Sequence, residues 1–269
     1  MINIYSESKI KEALLFPMPP PGKAYYFMKQ FSNYELEGRF LEGKGKIKIL
    51  AIHGGMSDYT SLNPILYTLQ QNGIGSLSFN LSGHSPSTKH IQSSLKQNID
   101  EAAAFAESIS IPEVVMGYSL GGYVALQLAR QLNIRKILLF CPAIYTDDAV
   151  DAPYGKMFTQ KISQAYSYMD SELWAFLENY NGKLFLITGE FDGWKTSNGK
   201  SKGYFYHSGQ RLYSPIPYEV KQRFKNIIYK NQNMKKEEIL GADHFLADYF
   251  KKNTSNYFIR EIIDFVCQE

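Results

Sequence analysis

The sequence has little cysteine, little net charge and no long apolar run, and each shortage removes a class of protein. Two cysteines occur in 269 residues, Cys141 inside an apolar run and Cys267 close to the C-terminus. They make no Cys-x-x-Cys and no pairing pattern, so a disulfide scaffold is excluded and free thiols in a reducing compartment are expected. The formal charge is only +3 and is scattered along the chain. That is too weak for a nucleic-acid footprint, so no nucleic-acid partner is expected, although an anionic substrate would not be repelled. No apolar stretch approaches the length of a bilayer crossing, and Met1-Ile2-Asn3-Ile4-Tyr5-Ser6-Glu7 is mixed and acidic rather than basic and then apolar. The expectation is a cytoplasmic protein without a membrane span. The five histidines and the acidic residues show no His-x-x-x-His or His-Glu-x-x-His spacing, which argues against a metal site.

What is present is ordinary in amount, with 44% hydrophobic and 20% charged residues, and points to one globular domain with an insertion. The chain is organised around Val114-Val115-Met116-Gly117-Tyr118-Ser119-Leu120-Gly121-Gly122, an apolar run that ends in Gly-x-Ser-x-Gly and continues into an apolar-periodic helix. A serine pinched between strand and helix sits in a strained conformation, and side chains at Gly117 or Gly121 would collide with the neighbouring element. Ser119 is therefore the candidate nucleophile.

Around it, residues 1–23 end in Pro17-Met18-Pro19-Pro20-Pro21-Gly22-Lys23 and read as an extended arm. The aromatic-rich runs 24–31 and 34–41 predict an antiparallel hairpin, and 46–52 a strand that turns wholly apolar before His53-Gly54-Gly55. Helical spacing of apolar residues over 58–71, 95–109, 120–132, 217–230 and 255–266 alternates with strands at 74–79, 113–117, 135–140, 184–188 and 237–240. Such alternation is the pattern of an α/β sheet with right-handed crossovers. Residues 143–182 break the rhythm and predict a mostly helical inserted cap, leaving 1–142 and 183–269 as the core. Residues 193–214 predict a long polar, basic loop with Trp194, Lys195, Lys200, Lys202 and Arg211.

A serine hydroxyl needs an imidazole to take its proton and a carboxylate to orient that imidazole. His244, in Gly241-Ala242-Asp243-His244-Phe245, follows the last predicted strand, and Asp192 follows the strand 184–188. Both then stand at the carboxyl ends of their strands, where open α/β sheets bind ligands. Asp147 or Asp148, after the preceding strand, is a rival for the orienting acid, whereas Glu190 and Asp243 should be turned away from the imidazole. A tetrahedral oxyanion needs two backbone N–H donors; Leu120 supplies one, and Gly55 or Met56, after His53, the other. His53 itself reads as a brace for that loop.

On His53-Gly54-Gly55, Gly117-Tyr118-Ser119-Leu120-Gly121-Gly122, Gly189-Glu190-Phe191-Asp192 and Gly241-Ala242-Asp243-His244-Phe245, the chain resembles the α/β-hydrolase superfamily over residues 24–269. It is most similar to the lipase-esterase, peptidase and thioesterase branch with a short lid. The resemblance implies a mostly parallel eight-stranded sheet flanked by helices, with Ser119 as nucleophile, Asp192 as acid and His244 as base. It also implies hydrolysis of an ester, thioester or related acyl bond without a cofactor, on a small-molecule substrate with an apolar acyl group. Acyl transfer on the same triad, or ligand binding without catalysis, are the alternatives. Aromatics of the cap (Tyr154, Phe158, Tyr166, Tyr168, Trp174, Phe176, Tyr180) are candidates both for pocket lining and for packing. One departure is Asn80-Leu81-Ser82-Gly83-His84-Ser85-Pro86-Ser87, where the family has Asp-x-x-Gly-His-Gly-x-Ser, which should weaken that loop's polar bracing. The basic stretch 193–214 is the other. The sequence leaves the oligomeric state open.

Overall fold

In the computed structural model, which describes residues 3–46, 48–246, 249–250 and 257–268, burial explains why the central strands lack alternation. The chain begins with β1 (Ile4–Tyr5), β2 (Ala24–Gln30), β3 (Glu35–Leu41) and β4 (Ile49–Ile52), followed by α1 (Asn63–Gln71) and β5 (Ser76–Phe79). Next come α2 (Leu95–Glu107), β6 (Val114–Tyr118), α3 (Leu120–Leu132) and β7 (Lys136–Phe140). All four residues of β4 and all four of β5 are buried, because helices cover both faces of the sheet and leave no solvent side for polar residues.

Residues 143–182, the predicted cap, carry α4 (Lys156–Ile162) and α5 (Leu173–Glu178) with 3₁₀ turns at Asp147–Ala149 and Ser167–Asp170. After it come β8 (Lys183–Gly189), β9 (Gly203–His207), β10 (Gln210–Ser214), α6 (Tyr218–Tyr229), β11 (Met234–Ile239) and α7 (Tyr257–Cys267). One sheet runs β1-β2-β3-β5-β4-β6-β7-β8-β11, with β4 to β8 and β11 mutually parallel and β1 to β3 antiparallel. One apolar core lies under α2, α3, α5 and α6, and the other under α1 and α7.

Among the described residues the sheet has nine strands rather than the eight expected. The extra one, β1, comes from the arm: Ile4 pairs with Phe27 and Tyr5 with Tyr26. The arm is also pinned further along, since Leu15 N–H donates to Asp58 Oδ2 (2.7 Å), Phe16 N–H to Thr60 Oγ1 (3.0 Å) and Tyr67 O–H to the Met18 carbonyl (2.7 Å). The predicted loop 193–214 is in part a hairpin, with β9 and β10 paired in register from Gly203–Ser214 to His207–Gln210. Ser208 and Gly209 both have positive φ, 48° and 77°, as a tight two-residue turn demands. The strand pair was hidden because Tyr204-Phe205-Tyr206 shows no alternation of polar and apolar residues and the partners of β9 lie only across the hairpin. The last predicted strand begins at Met234 rather than at 237, because two lysines mask a segment that is a sheet edge.

Residues 1–2 of the predicted arm, Ile47 of the strand 46–52 and residues 255–256 of the terminal helix lie outside the described residues. Among the described residues no helix is long and apolar enough to cross a membrane.

Candidate active site

Ser119 joins β6 to α3 at φ 54° and ψ −117°, a conformation that costs free energy and persists only because its surroundings fix it. Its N–H donates to the Phe140 carbonyl and its carbonyl accepts from Ala143 N–H, both at 2.9 Å. The flanking glycines have a steric reason. A Cβ on Gly117 would stand 2.3 Å from the Gly121 carbonyl oxygen, and one on Gly121 would stand 2.3 Å from the oxygens of both Ile52 and His53. The serine hydroxyl is thereby held at the carboxyl edge of the sheet.

His244 Nε2 lies 3.0 Å from Ser119 Oγ, and His244 Nδ1 lies 3.1 Å from Asp192 Oδ2. Both side chains are buried. The residues that hold them come from distant parts of the chain. His244 N–H donates to the Tyr213 carbonyl at 3.0 Å, and Tyr118 O–H donates to the His244 carbonyl at 2.8 Å while its ring stacks on the imidazole. On the acid side the buried Lys221 donates to the Gly189 (2.7 Å) and Glu190 (3.0 Å) carbonyls and pairs with Glu238. Gly193 N–H, next to Asp192, donates to Ser214 Oγ at 2.7 Å.

Three of the other acids are occupied elsewhere. Asp147 accepts from Glu172 N–H at the start of α5, Glu190 accepts from Gly241 N–H, and Asp243 accepts from the N–H groups of Tyr213 and Phe245. Cys141 stands beside the pair, with donor atoms of Cys141, Asp192 and His244 all within 4.8 Å of one another. Burial first, and then the Asp192 charge, push its thiol well up, so it stays protonated. The imidazole and the carboxylate of this group engage each other.

Gly54 and Gly55 run alongside the serine. A Cβ on Gly54 would lie 3.2 Å from Ser119 Cβ, and one on Gly55 would lie 3.6 Å from Leu120 Cδ1. Met56 follows at φ 56° with its side chain 86% exposed. His53 braces this loop: its Nε2 accepts from Leu81 N–H at 2.9 Å, so Nδ1 carries the proton and donates to the Gly54 carbonyl at 2.7 Å. The loop 80–87 is braced by groups that family comparison did not suggest. Ser82 N–H donates to Glu101 Oε2, Asn98 bonds the Ser82 carbonyl, and His84 donates to Asn98 Oδ1 at 3.0 Å.

Burial pushes the His53 and His84 imidazoles down to about 4, with the His53 charge adding to the effect at His84. The unfolded chain titrates near 6.5, so below that pH it binds protons that the folded chain refuses. Stability is complete above about pH 6.5 and falls as the pH drops toward 4, by roughly 3 kcal/mol for His53 alone. Urea midpoints are expected to fall between pH 7 and pH 5, and to fall less steeply in His53→Asn. An equal slope in the variant would contradict this account.

A cleft of about 290 Å³ opens beside Ser119, between the cap stretch and the hairpin, lined in part by Ile144, Tyr145, Tyr168, Tyr213 and Ile216. Of the seven cap aromatics only Tyr168 lines it. Trp174 is buried and donates to the Tyr168 carbonyl, Tyr180 donates to Ile134, and Phe158 packs edge-on against Tyr145 and Tyr154. Sequence reasoning did not find Tyr118, Cys141, Tyr213 or Lys221; only Tyr118, as the residue before the serine in the elbow, carried a local signal.

The fold is shared with many solved structures. Among them, a monoacylglycerol lipase from Paleococcus ferrophilus superimposes with a TM-score of 0.62 at 16% identity, over 87% of this chain and 98% of that one. A thermophilic esterase from Thermogutta terrifontis gives 0.57 at 15%, over 91% and 99%, and an alpha-beta serine hydrolase homologue from Coxiella burnetii 0.55 at 15%, over 88% and 94%. No curated protein matches the sequence. The family model described as serine aminopeptidase, S33, matches residues 43–180, half of the chain, which spans the elbow and most of the cap stretch. With a mostly parallel sheet, helices on both faces and the serine at the turn between β6 and α3, the chain belongs to this family of the α/β-hydrolase superfamily.

Proposed function

We propose that the protein is a serine hydrolase that cleaves an ester, thioester or related acyl bond through Ser119, His244 and Asp192. The observation that carries this reading is the continuous line of contacts from Ser119 Oγ through His244 to Asp192, at 3.0 and 3.1 Å. His244 Nε2 takes the Ser119 proton as Oγ attacks the acyl carbon, and Asp192 fixes the tautomer and stabilises the imidazolium. The oxyanion lies against Leu120 N–H and a second N–H from Gly55 or Met56. His244 then protonates the leaving group, a water attacks the acyl-enzyme with its proton passing to His244, and the free acid departs. No cofactor takes part. Residues 143–182 act as the cap, and the β9–β10 hairpin forms the facing wall.

An ester or thioester is favoured over a peptide with a free amino terminus. None of the described residues lining the cleft is charged, so a substrate ammonium would be desolvated without a counter-charge. The volume is at the lower end of ligand pockets, which start at about 300 Å³, and suits a short acyl group.

The test is labelling of the purified protein with a fluorophosphonate, mapping of the adduct by mass spectrometry, and turnover on aryl esters of increasing chain length beside aminoacyl amides. The adduct is expected on Ser119, and the short esters should turn over fastest. A folded protein that takes no label would sink the triad, and faster turnover of aminoacyl amides would sink the substrate class.

A further inference from the structure

His244 must hand its proton to the leaving atom, so in the proposed hydrolysis the leaving group departs on the imidazole side of the cleft. That side is aromatic. Tyr213 of β10 lines the cleft and stands edge-on to the imidazole, with 5.8 Å between ring centroids. Phe245 stacks on Tyr213 at 5.0 Å and is 42% exposed. Tyr204, 55% exposed, lies 4.6 Å from Tyr213, and the exposed Arg211 places its guanidinium 4.0 Å over the Tyr204 ring.

The strand pairing explains this line of contacts. Register sets Tyr204 opposite Tyr213 and Tyr206 opposite Arg211, and the two-residue period puts all four on one face of the hairpin. The other face is packed, since Phe205 stacks on Trp194 at 5.4 Å and Leu212 is buried.

Charge also separates this wall from the rest of the molecule. Residues 193–217 hold Lys195, Lys200, Lys202 and Arg211 and no aspartate or glutamate, more positive charge than the net +3 of the whole chain. Ser201 and Gly203, on either side of Lys202, line the cleft. The acids packed against this stretch are engaged: Asp243 accepts from the N–H groups of Tyr213 and Phe245, and Glu219 from Ser197 O–H and Gly199 N–H. Among the described residues Arg211 has no ion pair and no hydrogen-bond acceptor, which leaves its forked donors for a ligand.

The cleft of about 290 Å³ takes a short acyl group, so the rest of a substrate lies outside it, along this face. Resting on the hydrolase reading, we propose that Tyr204 and Arg211 form a leaving-group subsite. It selects esters or thioesters whose alcohol or thiol part is a flat or apolar spacer ending in a carboxylate or a phosphate.

Three butyryl esters test this, those of 3-(4-hydroxyphenyl)propionate, of its primary amide and of 4-hydroxyphenethyl phosphate. The acylated phenols have nearly the same acidity, so differences in kcat/KM report the distal group. At least one anionic ester is expected to exceed the amide by roughly fivefold, mostly through KM, as a well-formed exposed ion pair allows. The advantage should shrink when salt is added, and the better of the two anions identifies the headgroup. Arg211→Gln should bring the ratio to about one, whereas Arg211→Lys, which keeps the charge but loses the fork, should keep part of it. Arg211 is exposed, so both variants are expected to fold. The same esters titrated calorimetrically onto Ser119→Ala should show the same preference without chemistry. A ratio near one in the wild type, a ratio unchanged by Arg211→Gln, or equal or absent binding of the three esters to Ser119→Ala would overturn the subsite. Fluorophosphonate labelling reports on Ser119 separately, so its failure would sink the hydrolase reading while the binding ratio still judged the subsite.

Discussion

Ser119→Ala is expected to lower turnover by roughly 10⁴–10⁶-fold while leaving the fold intact. In the proposed mechanism this hydroxyl forms the covalent bond, and its removal leaves a void of one oxygen atom at a half-buried position. His244→Ala should cost nearly as much, and Asp192→Asn about 10⁴-fold, because the wrong imidazole tautomer would then face Ser119. The double variant Ser119→Ala, His244→Ala should be no worse than the more damaging single one, since the two groups perform one step together. Residual turnover over water would come from the N–H donors and from binding. Turnover numbers on the best ester, with circular dichroism to verify folding, give the answer. Ser119→Ala within tenfold of wild type, or losses that multiply in the double variant, would mean that this serine and histidine do not act as a unit.

Gly121→Ala is expected to destabilise the protein by more than about 4 kcal/mol, enough to remove a large part of the usual 5–15 kcal/mol. The added methyl meets two backbone oxygens at 2.3 Å, those of Ile52 and His53, which cannot swing aside as a side chain can. To relieve the clash, α3 must lift from β4, and Ser119 moves with it. Gly55→Ala makes the comparison clean, because its nearest contact would be 3.6 Å, ordinary van der Waals distance. Thermal unfolding should show a fall of roughly 10 °C or more for Gly121→Ala and little change for Gly55→Ala. Equal midpoints for the two would refute the steric account of the elbow.

These two predictions also mark what a sequence can reveal. The elbow was legible because its demands are local: a strained serine needs glycines two residues before and after it, and they are visible side by side. The alternation of strands and helices was legible for the same reason, since each element writes its own period. What stayed hidden is held by partners far away in the chain. Tyr118 reaches the His244 carbonyl across 126 residues, and Lys221, which reads as a solvated position on an amphipathic helix, is buried beneath the Asp192 turn. Cys141 reads as one more apolar residue at the end of a strand, and only the fold brings its thiol beside Asp192. The ninth strand escaped because two residues of extended arm carry no period at all.

The hairpin has a consequence for how such a protein can change over generations. Tyr213 and Ser214, at one end of β10, hold the loops of both His244 and Asp192, the first through a backbone carbonyl and the second through a hydroxyl. Tyr206 and Arg211 pair with each other nearer the tip, and Tyr206 is 75% exposed. Substitutions at the tip can therefore alter what approaches the cleft while the proton-transfer machinery stays in place, and new specificities can be explored without first losing the old chemistry.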